Sequence, residues 1–181
     1  MTTIVKWILI ACATLAVLVL IVILIGAALP QEHTATVRVR LSQPPARVYA
    51  TLVNVTESTT WRSDLNAVEV ISPEGEPLRW RESGKHGTIT FARDEDVPAR
   101  RIVARIDDTT QGFGGRWIYE LEPTEHGTVL TITEEGEVYS ALFRFMSRFV
   151  FGHYATLESY ARDLGRHFGD DIAIERISGA D

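Results

Sequence analysis

The sequence predicts an α+β domain behind an N-terminal transmembrane helix: an antiparallel sheet of about seven strands wrapped around a long C-terminal helix, with two short helices after the first strand. Three observations carry this reading. Residues 7–29 form an uncharged apolar run. Residues 34–138 alternate and turn in short segments, as strands joined by tight loops do. Residues 140–169 carry a helical stripe, Leu142, Met146, Phe149, His153, Leu157, Tyr160, Leu164 and Phe168, at steps of three or four. As one helix that segment would run about 45 Å at ~1.5 Å per residue, and its stripe needs a surface to cover. A sheet gripping one long helix meets that need.

The N-terminal run makes about 35 Å of helix, more than the roughly 30 Å hydrocarbon core of a bilayer, so a single-pass anchor is expected. A cleaved secretory signal is the competing reading, with Gly26 and Ala28 as small residues at a cleavage site. Signals normally have an apolar region of about 7–15 residues, shorter than this one. Lys6 favours a cytoplasmic N-terminus, whereas Arg38, Arg40 and Arg47 pull the other way; the expected placement of the domain is non-cytoplasmic. Cys12, the only cysteine, lies inside the run, so no intramolecular disulfide can form. Leu9-Ile10-Ala11-Cys12 imitates a lipoprotein box, but a long apolar segment follows it where a processed signal would end.

The chain carries 18 basic and 24 acidic residues, a formal net charge of -6, and Lys6 is the only charge before residue 32. An acidic domain of this kind argues against nucleic acid as a partner, because phosphate binding draws on clustered Lys and Arg. About 150 residues bury roughly 68–70% of their unfolded surface, enough for one core with room for a cavity. The expected division is anchor and junction over 1–32, one domain over 33–169, and a loosely attached tail over 170–181.

In chain order, residues 34–41 alternate, with Ala35, Val37, Val39 and Leu41 on one side, and predict a half-buried strand. Pro44 and Pro45 preset a helix start, and Val48 with Leu52 supplies an apolar i, i+4 pair. A second short helix or turn is expected at 58–62, carrying Trp61. Strand signals then recur at 67–71, 78–82, 88–92 and 101–106, bounded by Gly, Pro or Asp. Residues 115–122 put Trp117, Tyr119 and Leu121 on one face, and 128–133 follow the Glu125-His126-Gly127 turn. Consecutive strands without alternating helices imply an antiparallel meander.

This order of elements, with Trp61-Arg62, Trp80-Arg81-Glu82, the run FGGRWIYELEP from Phe113 to Pro123, and Gly127-Thr128 through Glu134 with Gly136, resembles the START-like, helix-grip superfamily and its polyketide cyclase/dehydrase branch, SRPBCC. The resemblance spans residues 33–169. It implies a cavity between sheet and C-terminal helix that takes a lipid, polyketide or other hydrophobic small molecule, without deciding between binding and catalysis.

An apolar-ligand cavity needs aromatic and aliphatic walls, and Trp61, Trp80, Phe91, Trp117, Tyr119, Phe145, Phe149 and Tyr154 are the candidate lining residues. Core packing calls for the same residue types. His153, Tyr119 and Glu134 are the candidate acid/base groups, chosen by residue type, since no catalytic motif is present. No metal site and no cofactor are expected: His33, His86, His126, His153 and His167 are scattered, and the lone cysteine sits in the anchor. Glu134, Glu135 and Glu137 are read as solvated residues beyond the last strand, and Asp94-Glu95-Asp96 as a turn. Arg144 and Arg148, interleaved with Phe143, Phe145, Phe149 and Phe151, suit either a solvated helix face or contact with anionic headgroups. Gly152 is a place for this helix to kink. The reading as a whole is a membrane-anchored domain that binds a hydrophobic small molecule or lipid. The alternatives are a cyclase or dehydratase-like enzyme and an interaction module with a vestigial cavity.

Overall fold

A computed structural model describes residues 3–85, 87–108 and 110–177; His86, read above as one of the scattered histidines, and residues 178–181 of the tail lie outside the described residues. Helix α1 (Thr3–Ala28) is apolar throughout and long enough to cross a membrane. Strand β1 (Glu32–Leu41) leads to α2 (Pro45–Val53), whose Val48 and Leu52 are buried, and to a 3-10 turn at Val55–Thr60. Strands β2 (Leu65–Val70), β3 (Arg79–Gly84), β4 (Gly87–Val97), β5 (Arg101–Ile106), β6 (Phe113–Thr124) and β7 (Gly127–Val138) follow as an antiparallel meander. Strand β7 then pairs with β1, so the first strand lies beside the last of the meander. The helix-grip architecture expected from the sequence is the one observed.

The C-terminal region departs from expectation in two ways. Instead of one helix over 140–169 there are two, α3 (Ala141–Met146) and α4 (Ala155–Phe168), separated by a π-helical turn at Ser147–Phe151 and by Gly152. Gly152 has φ +74, a left-handed value that L side chains rarely adopt, and it ends the first helical segment there. The stripe therefore serves two surfaces. Leu157, Tyr160, Ala161 and Leu164 are buried on the sheet, while Leu142 and Phe149 are 48% and 59% exposed.

The tail, expected to be loosely attached, adds an eighth strand. β8 (Glu175–Ile177) pairs antiparallel with β1 and covers an edge that would otherwise be open. Ile172 and Ile174 pack against the core, with Ile172 seated on Gly165 of α4. A Cβ at position 165 would lie 3.0 Å from that isoleucine, which would have to shift slightly to admit it.

The core sits between α4 and the β1, β6 and β7 side of the sheet. Val37, Leu130, Ile132, Leu157 and Leu164 have no exposed surface. Burying each such side chain stabilises the fold by about 1.5–3 kcal/mol. A second cluster, Val55, Trp80 and Ala104, with Phe91 against it, fills the β3 to β5 side under the 3-10 turn.

Candidate functional site

Directly opposed residues of an antiparallel pair share a face, so the register defines the inner surface. Tyr119 faces Ile132 and Trp117 faces Glu134 between β6 and β7; Glu134 in turn faces Ala35, and His33 faces Gly136, between β7 and β1. Across the other side, Trp117 faces Ala104, Phe91 faces Ile106, and Trp80 faces Phe91. One surface thus carries His33, Glu134, Trp117, Tyr119, Phe91 and Trp80.

Its middle is closed by Tyr160 of α4. The Tyr160 ring lies 5.2 Å from that of Trp61, 5.6 Å from Trp117 and 5.6 Å from Tyr119, centroid to centroid. The Tyr119 and Tyr160 hydroxyls are hydrogen-bonded to each other, and burial raises the pKa of both, Tyr160 to about 12, so both remain protonated at neutral pH. Beside them the Arg62 guanidinium lies 5.1 Å from the Tyr160 ring centroid and pairs with Asp64 at 2.7 Å and Glu82 at 2.8 Å. Glu82 also accepts a hydrogen bond from the Trp80 indole at 2.9 Å. Burial alone would lower the Arg62 pKa; the Glu82 charge and the Asp64 hydrogen bond outweigh it and hold the guanidinium above its ordinary value. This group is a permanent buried cation on a fixed scaffold.

Toward the start of β1 the inner face is less covered: Ile106, Phe113, Trp117 and Glu134 are only half-buried. Glu134 is the residue that the sequence reading misplaced among solvated carboxylates. Strand β7 runs on to Val138, so strict alternation turns Glu134 inward and Glu135 outward, where it pairs with Arg116 at 2.5 Å. Burial raises the Glu134 carboxyl to about 7, partly countered by a hydrogen bond from the Trp117 indole. Asp94, Glu95 and Asp96 likewise lie within β4, around a bulge, and pair with Arg105, Arg101 and Arg93.

The histidines that the sequence scatters are partly assembled by the fold. His33 and His153 stack with ring centroids 4.0 Å apart, and His153 Nδ1 lies 3.2 Å from Ser147 Oγ. Burial and then the neighbouring His153 lower His33 to about 4; burial and then the Arg148 charge lower His153. Both rings are therefore neutral at physiological pH. His33 lies over Gly136, where a side chain would overlap its ring. The signal that pointed to His33 was present in the alternation of β1, which puts it on the same side as Ala35 and Val37.

The remaining predicted lining residues spread over three environments. Trp61, Trp80 and Tyr119 are buried in the core, and Phe91 stacks on Trp80 at 5.5 Å. Tyr154 is half-buried under the Arg176 guanidinium at 4.9 Å. Phe145 and Phe149 pack on each other at 4.9 Å on the segment before Gly152, away from the Tyr160 cluster. An open cleft of about 530 Å³ lies at the same end of the sheet, with His33, Gly115, Gly136, Arg105 and Arg116 in its walls. Thr34, Arg105, Arg116, Glu135 and Glu137 of that lining alternate with the inner-face residues Ala35, Ala104, Trp117 and Glu134, so the cleft opens mainly on the outer, charged face of the sheet. A second cleft, of about 540 Å³, opens at the other end around Arg40, Ser42, His126 and Asp170. None of the predicted aromatic residues lines either one.

Comparison with solved structures finds the same fold at low identity. The chain is similar to the di-domain aromatase/cyclase StfQ of the steffimycin biosynthetic pathway, with TM-score 0.63 and 12% identity over 77% of this chain; it spans about half, 51%, of that protein. It is similar to a START superfamily protein from Mycobacterium smegmatis, with TM-score 0.59 and 13% identity over 76% of this chain and 97% of the other. A third similar fold is the Zhui aromatase/cyclase from Streptomyces sp. R1128, with TM-score 0.55 and 18% identity over 75% of this chain and 93% of the other. Comparison with curated protein sequences returned no significant match. The sequence pattern of one family matches residues 32–166, from β1 into the last turns of α4, and the chain belongs to that family, polyketide cyclase / dehydrase and lipid transport.

Proposed function

We propose that this domain, held at a membrane by α1, binds a hydrophobic small molecule or lipid on the inner face of its sheet, at the end nearer α1. The observation that carries the reading is the uneven cover of that face. From Leu41 to Tyr119 it is sealed by α4 and α2, whereas Trp117, Phe113 and Ile106 beyond Tyr160 stay half-buried. Family membership and the aromatase/cyclases among the similar folds favour the same class of ligand. Native mass spectrometry of the full chain released from mild detergent tests this. An apolar adduct that Trp117→Asp abolishes is the expected result, and a clean apo mass after several extraction conditions refutes it.

Glu134 favours a second reading, an enzyme of the cyclase/dehydratase kind. A carboxyl that titrates near neutrality on an apolar wall is suited to give and take a proton from an enolisable ketone. His153 and Tyr119 are less suited to that exchange: one ring is stacked on His33, and the other hydroxyl is buried with a raised pKa. With a poly-ketone substrate, Glu134→Gln is expected to lower kcat by about 10²-fold or more while the fold persists. Unchanged turnover would leave binding as the function.

A further inference from the structure

The most exposed apolar surface outside α1 lies on α3 and the turn after it. Leu142, Phe143, Phe149 and Val150 are 48%, 55%, 59% and 58% exposed, a cost that a soluble surface has no reason to bear at four neighbouring positions. At helical spacing they gather on one side, and Arg144 and Arg148, four apart, fall on the other. Among the described residues neither arginine forms an ion pair, whereas most arginines of the sheet are matched to carboxylates; Arg148 is exposed and Arg144 half-buried, its buried Nε, like that of Arg93 on β4, without a hydrogen-bond partner.

What covers this patch follows from where it sits. α3 packs on the last turn of α1: Gly26 is buried there, and a Cβ on it would overlap the Ala141 carbonyl. α1 has 26 residues, about 39 Å of helix at ~1.5 Å per residue, against a hydrocarbon core of roughly 30 Å. Gly26, two residues from its end, thus falls at the boundary between acyl chains and headgroups, and α3 is held at the same depth.

We propose that Ala141–Met146 and the following turn form an interfacial wedge in the bilayer, with Leu142, Phe143, Phe149 and Val150 among the upper acyl chains and Arg144 and Arg148 at the level of anionic headgroups. The wedge rests on the reading of α1 as a membrane anchor. It also places a lipid surface beside the half-buried end of the inner face, since the same segment continues through Ser147 to His153 and His33. A hydrophobic ligand leaving the bilayer would then reach the sheet without crossing water.

The full chain carrying Cys12→Ser and one new cysteine tests this, at Phe143, Phe149, Leu24 or Glu74, labelled with an environment-sensitive fluorophore. Reconstitution is into phosphatidylcholine vesicles with and without phosphatidylglycerol. Labels at Phe143→Cys and Phe149→Cys are expected to shift to the blue and to lose roughly half their emission when doxyl-labelled lipid is included, as shallow groups do. The label at Glu74→Cys, on an exposed turn, stays in water. Water-like emission at positions 143 and 149 with quenching at 24 overturns the wedge and leaves the anchor standing. Water-like emission at 24 as well overturns the anchor and the wedge together.

Discussion

Glu134 and His33 are diagonal neighbours on the inner face, and their titrations act on stability with opposite signs. The folded Glu134 pKa, about 7, lies above its ordinary 4.5, so the contribution of this group is fully present below pH 4.5 and is lost as pH rises through 7. The folded His33 pKa, about 4, lies below its ordinary 6.5, so its contribution is present above 6.5 and is lost as pH falls toward 4. In the wild type the two slopes offset each other between these limits. Glu134→Gln is expected to stabilise the fold at pH 8 by up to about 3 kcal/mol and to leave a profile that falls with acid. His33→Gln should remove part of that acid limb, on the order of 1 kcal/mol given its partial exposure. Urea unfolding followed from pH 4 to 8 reads both, and parallel curves for wild type and Glu134→Gln would contradict the burial of this carboxyl. At this scale the strand aromatics Trp80, Phe91, Trp117 and Tyr119 were legible as inner-face residues because alternation alone assigns a face, whereas Phe145 and Phe149 belong to the segment before Gly152. Glu134 was not, because its orientation depends on where β7 ends, and that is fixed by pairing with β1 and β6.

At the scale of elements, the C-terminal stripe shows what periodicity conveys and what it hides. Leu142, Phe149, Leu157 and Leu164 are equivalent in the sequence pattern, but Leu164 is fully buried and Phe149 is exposed. Leu164→Ala is therefore expected to cost about 2–5 kcal/mol in chemical unfolding, and Phe149→Ala less than about 0.5 kcal/mol in detergent. Similar losses at the two sites would mean that α3 and its turn lie on the core and not beside α1. The short helices and the strands of the meander were readable from local signals: Pro44 and Pro45 before α2, and Gly, Pro or Asp between strands. The break at Gly152 was readable as a place where a helix can kink. That it separates a segment packed on α1 from one packed on the sheet depends on α1, which lies far away in the chain.

For the whole molecule, the eighth strand and the packing of Ile172 and Ile174 make the tail part of the core. Ending the chain after Gly169 would uncover the β1 edge, Gly165 and the Glu158 to Arg176 ion pair, and remove the Asp170 contacts to Ser42. Such a truncation is expected to lower Tm by several degrees and to raise the tendency to aggregate, both measurable by thermal melts with light scattering. An unchanged Tm would show that β8 and the isoleucines add nothing to the folded core. The sequence by itself determined the apolar N-terminal helix, the antiparallel meander, a terminal amphipathic helix and the kind of surface such elements enclose, because hydrophobic period and turn chemistry are local. Only the tertiary structure decided that His33 meets His153, that Glu134 turns inward beside Trp117, and that α3 lies on α1 while α4 lies on the sheet. Those contacts join distant parts of the chain, and their free energy comes from surfaces that exist only once the sheet has closed around α4.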